Sequence, residues 1–119
     1  MRDFRSLKVW EKAHQLALDI YKATAAFPRE EQFGLTSQTR RCAASIGANI
    51  AEGCGRDSDG DLRRFLEIAM GSASELEYHL LLAQDLGLVP PGVHNDLHSR
   101  TVEVKRMLAT LIRRFRSDH

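Results

Sequence analysis

The sequence predicts an all-α protein: an up-down-up-down antiparallel four-helix bundle filling a single domain over residues 1–119. Three observations carry this reading. Four long stretches place apolar residues three or four apart, the spacing of one helical face. Short connections rich in Pro, Gly and acidic turn formers separate them, and short connections favour antiparallel neighbours. No repeat, low-complexity tract or linker divides the chain, and 119 residues can enclose a continuous core without metal or disulfide staples.

Residues 1–6 read as an irregular lead-in. In the first helix Leu7, Trp10, Ala13, Ala17, Ile20 and Tyr21 trace one face, with Leu16 on its margin and Phe27 beyond its end. Lys8, Glu11, Lys12, Gln15, Asp19 and Lys22 take the other side. Trp10 reads as a packing anchor. Pro28 stops the helix at or before Phe27, because proline cannot continue the hydrogen-bond ladder. Residues 29–34 are a short charged connection.

The second helix begins near Leu35 or Thr36, with Thr36 a candidate cap, and ends at Gly53, Gly55 and Arg56. Cys42, Ile46 and Ile50 alternate on its face with the small residues Ala43, Gly47 and Gly53, which let a neighbouring backbone approach. The acidic turn of residues 57–61 suits capping of the third helix. It is not an EF-hand loop, since the twelfth residue counted from Asp57 is Ile68 and from Asp59 is Met70, where a glutamate is required.

The third helix runs from about Asp61 to Leu86. Its stripe is Leu62, Phe65, Leu66, Ala69, Ser72, Leu76, Leu80 and Ala83, widened by Ile68, Ala73, Leu81 and Leu82. The width exceeds what one partner face needs and points to a contact on a second side. Gly87 ends the helix. The fourth begins near Val93 and follows Leu97, Thr101, Val104, Leu108, Leu111 and Phe115, with Met107 and Ile112 alongside; residues 117–119 are expected to fray.

Apolar content of 43% and charged content of 28% are ordinary for a soluble domain, and a net charge of +1 gives no global attraction to nucleic acid or anionic membrane. The distribution is less even. No Lys or Arg occurs between Glu67 and Asp96, whereas residues 100–116 are strongly basic, so the third and fourth helices are complementary in sign. Cys42 and Cys54 are the only cysteines, and twelve residues of helix, about 18 Å, keep them beyond disulfide reach. The charged N-terminus runs into an amphipathic segment without an apolar leader, and no run approaches the roughly 20 apolar residues of a membrane span. The expectation is a reduced, cytoplasmic protein with Cys42 as a small core residue.

No phosphate-binding loop, dinucleotide fingerprint, nucleophile elbow or H-E-x-x-H zinc motif is present, and the helical serines lack a recognisable base, so no enzyme and no cofactor is expected. His94 and His98 stand four apart but read as a solvated pair, because no further ligand accompanies them. Glu75 and His79 read as a local i,i+4 contact. A di-iron bundle needs E-x-x-H on two helices with carboxylates on the others, a set this sequence does not supply. No metal site is expected.

The polar set that stands out is Asn49, Glu52 and Arg56, at steps of three and four on consecutive turns, where a hydrogen-bonded series would fix helix register or assembly. Arg40, Arg41, Arg63, Arg64, Arg113 and Arg114 are the candidates for contact with RNA or DNA phosphates.

Residues 4–24, 33–56 and 65–87 resemble the bacterial four-helix-bundle family named for proteins encoded within intervening sequences of 23S ribosomal RNA genes. Asn49-Ile50-Ala51-Glu52-Gly53 with Gly55-Arg56 is the most diagnostic run, and Gly71-Ser72-Ala73-Ser74-Glu75-Leu76-Glu77 is a second. The resemblance implies a bundle that self-associates in a ring, a homopentamer, with no catalytic residues. It also implies a likeness in fold to the accessory variability protein of diversity-generating retroelements, a basic pentameric bundle that binds reverse transcriptase and nucleic acid. Protein and nucleic-acid partners are expectations of that kind. Gly47 departs from the family, which commonly has proline after Ser-Ile, and this leaves open whether the helix kinks there.

Overall fold

The computed structural model describes residues 2–116, the side chain of Arg116 excepted; the expectation for residues 117–119 falls outside the described residues. Four long helices are formed: α1 (Lys8–Thr24), α2 (Ser37–Cys54), α3 (Asp59–Asp85) and α4 (Pro91–Arg116). No strand occurs among the described residues. Each helix packs on the next and α1 closes against α4, giving an antiparallel bundle 47 × 22 × 20 Å.

The buried stripe of α1 is Val9, Ala13, Leu16, Ile20 and Thr24. This turns the expected face. Leu16 lies at its centre, while Trp10 and Ala17 are half-buried and Tyr21 is 45% exposed. A helix clasped by two neighbours buries the arc between them, so the residues facing α2 alone fall on the rim. In α3 most of the expected stripe is buried, with Leu62, Leu66, Ala69, Leu76, Leu80 and Ala83, but Phe65 and Ser72 are half-buried and Ala73, expected at its margin, lies inside.

The corner after α1 is not a plain loop. Thr24 Oγ1 donates back to the Ile20 carbonyl at 2.8 Å, Arg29–Glu31 forms a tight helical turn, and Gln32–Thr36 forms a wider one kinked at Gly34. Thr36 does not cap α2, because it is itself helical and buried; the nearest side-chain acceptor is Glu31 Oε1, 3.2 Å from the Leu35 amide. Further on, α2 runs through Gly47 as one helix.

Ser58 opens α3, its Oγ accepting from the Asp61 amide at 3.1 Å. Gly87 closes it at φ +74°, where L side chains are strained. Its amide donates to the Gln84 carbonyl and that of Leu88 to the Ala83 carbonyl, both at 2.9 Å, which is the Schellman arrangement. Pro91 then starts α4, at the first helical position, where its missing N–H costs nothing.

Two cores result. The main one runs the length of the bundle, and a smaller one of Phe27, Leu35, Ala83 and Val89 fills the end beneath the Pro28 corner. At the opposite end the lead-in is tied down. The Arg2 amide donates to the Cys54 carbonyl at 3.3 Å, and the Arg2 guanidinium pairs with Asp59 and lies 5.4 Å from the Phe115 ring centroid. The charge complementarity of α3 and α4 is realised in Lys105–Glu77 at 2.8 Å. Arg100–Asp19 at 2.8 Å and Lys12–Glu103 at 3.4 Å join α4 to α1. Among the described residues no helix is long and apolar enough to cross a membrane.

Candidate functional site

The antiparallel pairing of α2 with α3 sets Cys42, Ser45 and Asn49 opposite Ser72, Glu75 and His79. At steps of three and four, each triplet forms one edge of its helix, and the two edges meet as a polar seam beside the apolar core. Asn49 Nδ2 donates to the Ser45 carbonyl and to Ser45 Oγ, both at 2.9 Å, and Ser45 Oγ lies 2.8 Å from Ser72 Oγ. Further along, Gly53 lets the backbones close up. A Cβ there would stand 3.0 Å from Leu62 Cδ1 and from Phe65 Cβ.

The expected series through Asn49, Glu52 and Arg56 is therefore divided. Glu52 and Arg56 pair at 3.0 Å, and Arg56 lies over the Phe65 ring at 4.9 Å. Asn49 turns its amide to Ser45 instead, because the half-buried seam offers it a carbonyl and a hydroxyl one turn back.

Sequence reasoning missed the other half of the seam. Cys42 Sγ lies 3.6 Å from His79 Nδ1, and His79 Nε2 lies 3.8 Å from Glu75 Oε2, so the i,i+4 pair gains a third member from α2. One ligand atom from each of Cys42, Glu75 and His79 falls within 4.8 Å of the others. Cys42 is buried, His79 is mostly covered and Glu75 is half-exposed. Burial, with the Glu75 carboxylate beside it, pushes the Cys42 thiol up to about 12, which keeps the nucleophilic thiolate away at neutral pH. Cys54 is also buried and its thiol is raised by burial; neither cysteine is in a disulfide. The signal for this cluster was the equal spacing on the two helices; what the sequence lacks is the register that brings them level.

The six candidate arginines do not form one group. Arg40 bridges α1 and α2: Nε donates to Thr24 Oγ1 at 2.7 Å, a terminal nitrogen donates to the Tyr21 carbonyl at 3.1 Å, and the guanidinium stacks on Tyr21. Arg41 is exposed beside Gln38. Arg63 and Arg64 at the start of α3 share an end of the bundle with Arg113 and Arg114 near the end of α4. Arg64 lies over Phe65 at 4.5 Å, and an Arg113 nitrogen is 3.4 Å from Thr110 Oγ1.

His94 corrects another expectation. It is not solvated but 7% exposed, with neither ring nitrogen bonded, and His98 stacks on it at 5.7 Å. His94 stands three residues before Leu97 and seven before Thr101, which puts it on the same inward stripe of α4. A groove of about 380 Å³ opens between α1 and α2. Phe4, Trp10, Leu18 and Tyr21 wall one side, and Ala44, Gly47, Ala48 and Ala51 form the other.

Fold and seam together define a small four-helix-bundle protein whose second and third helices share a polar edge. The chain belongs to the 23S rRNA-intervening sequence protein family, whose model matches residues 5–110. Among solved structures it is similar to a protein of unknown function from the S23 ribosomal protein family of Bacteroides thetaiotaomicron VPI-5482. That likeness has 28% identity and a TM-score of 0.79, covering 87% of this chain and 97% of that one. No curated protein matches the chain.

Proposed function

We propose that the chain is a non-enzymatic helical scaffold that self-associates into a ring of five copies. The groove between α1 and α2 carries this reading. Its floor of Ala and Gly permits close approach of another helix, while Leu18 and Tyr21 on its rim remain 44% and 45% exposed. On α3, Ile68, Tyr78 and Leu81 are also exposed. A head-to-tail ring needs two different surfaces on each subunit, and apolar side chains on separate helices provide them. The seam supports a non-catalytic role, since its serines bond each other and its thiol is held protonated. Light scattering at micromolar concentration tests this. The expected mass is five times 13.4 kDa, and Leu18→Glu with Tyr21→Glu releases folded monomers. A wild-type monomer overturns the proposal.

A second reading, RNA or DNA binding, draws on the shared end of Arg63, Arg64, Arg113 and Arg114. Phosphate contacts there would make affinity fall with salt, and replacing one such arginine with Gln would lower the salt slope by about one. Titration of unrelated RNA and DNA at low salt measures this, and an absence of binding removes it.

A further inference from the structure

We propose that Cys42, His79 and Glu75 form a binding site for a divalent transition-metal ion of the zinc class, clamping α2 to α3. The donors are a thiol, an imidazole and a carboxylate, the mixed set that suits zinc and cobalt in preference to calcium or magnesium. The geometry is close to what such an ion requires. Zinc–sulfur and zinc–nitrogen bonds at a tetrahedral angle set sulfur and nitrogen about 3.5 Å apart, and Cys42 Sγ and His79 Nδ1 are 3.6 Å apart. Glu75 offers an oxygen within 4.8 Å of one ligand atom on each of the other two, and its Oε2 is 3.8 Å from His79 Nε2, so this half-exposed side chain has to swing towards the Nδ1 side to complete the set. Two of the donors come from consecutive turns of α3 and the third from α2, so their spacing is fixed by backbone packing. Glu75 also gives the ion its route from solvent and leaves a fourth position on that side for water.

The chemistry balances without a redox step. The ion displaces the thiol proton to solvent, forms the metal–sulfur bond, and takes lone pairs from neutral imidazole and from carboxylate. Because a proton must leave, apparent affinity rises with pH.

The test is titration of the reduced, metal-free full chain with Co²⁺. One equivalent should produce a thiolate-to-cobalt charge-transfer band and the intense visible bands of four-coordinate cobalt, both abolished by Zn²⁺. Cys42→Ser should remove the charge-transfer band. Glu75→Gln, at a half-exposed position that leaves folding intact by circular dichroism, should weaken binding by about tenfold or more, at least the effect of an outer-shell change. Absence of the band in the wild type overturns the proposal. So does cobalt binding of equal strength by Cys42→Ser or Glu75→Gln, which would put the ion elsewhere, as at His94 and His98.

Discussion

Gly53 of α2 sits tightly against Leu62 of α3: a methyl group on Gly53 would stand 3.0 Å from Leu62 Cδ1 and 3.3 Å from the Leu62 carbonyl oxygen. Gly53→Ala should therefore destabilise by about 1–3 kcal/mol, the usual result of overpacking. Gly47 is the control. Its added Cβ meets Trp10 at 3.5 Å, an ordinary contact, so Gly47→Ala should be neutral or stabilising by up to about 1 kcal/mol. Urea midpoints at constant slope read both.

Asn49→Leu removes two hydrogen bonds to Ser45 from the half-buried seam. A loss of about 1–2 kcal/mol is expected, seen in thermal melts. A smaller further loss in the double variant with Ser45→Ala would show that the two residues act as a unit. Subunit number should be unchanged, because the seam is internal to one chain.

Arg40→Met deletes the bridge to Thr24 and Tyr21 and should cost about 1–2 kcal/mol. Arg41→Gln, at an exposed position, should stay within about 0.5 kcal/mol. Melting temperatures of the two variants distinguish a structural arginine from a surface one, although they are neighbours in sequence.

Stability should fall at both pH extremes for identifiable reasons. The Arg100 hydrogen bond holds Asp19 below its ordinary value, and the Lys105 hydrogen bond does the same for Glu77. Carboxylates with lowered folded values contribute fully above their ordinary values of 3.8 and 4.5, and that contribution is lost as pH falls through the folded ones. Asp19→Asn and Glu77→Gln should flatten the acid limb of denaturation midpoint against pH. Burial acts oppositely on Cys42. Its raised value favours the folded state below 9, and the benefit drains as pH climbs towards about 12. Cys42→Ala should flatten part of that alkaline limb.

The helices were legible because periodicity is local: Leu62, Leu66, Ala69, Leu76 and Leu80 needed only their own spacing to be assigned to the core. Asymmetric burial was not. Leu16 and Val9 moved to the centre of α1 because α4 packs on that side, which no pattern within α1 records. The same limit governs the seam. Glu75 and His79 were visible as neighbours on one helix, yet Cys42 joined them only through the register of α2 on α3. Asn49 was expected to continue one turn on to Glu52, but its partners lie one turn back at Ser45.

The small end core of Phe27, Leu35, Ala83 and Val89 is separate from the long one, and this gives the bundle two levels of cooperativity. With so few side chains to release, the Pro28 corner can open while α2, α3 and α4 stay locked along most of their length. Amide hydrogens of residues 32–36 should exchange with solvent well ahead of those near Ile46 and Leu76. A protease admitted at that corner would nick the chain between α1 and α2 while Val9, Ala13, Leu16 and Ile20 still hold α1 in the main core.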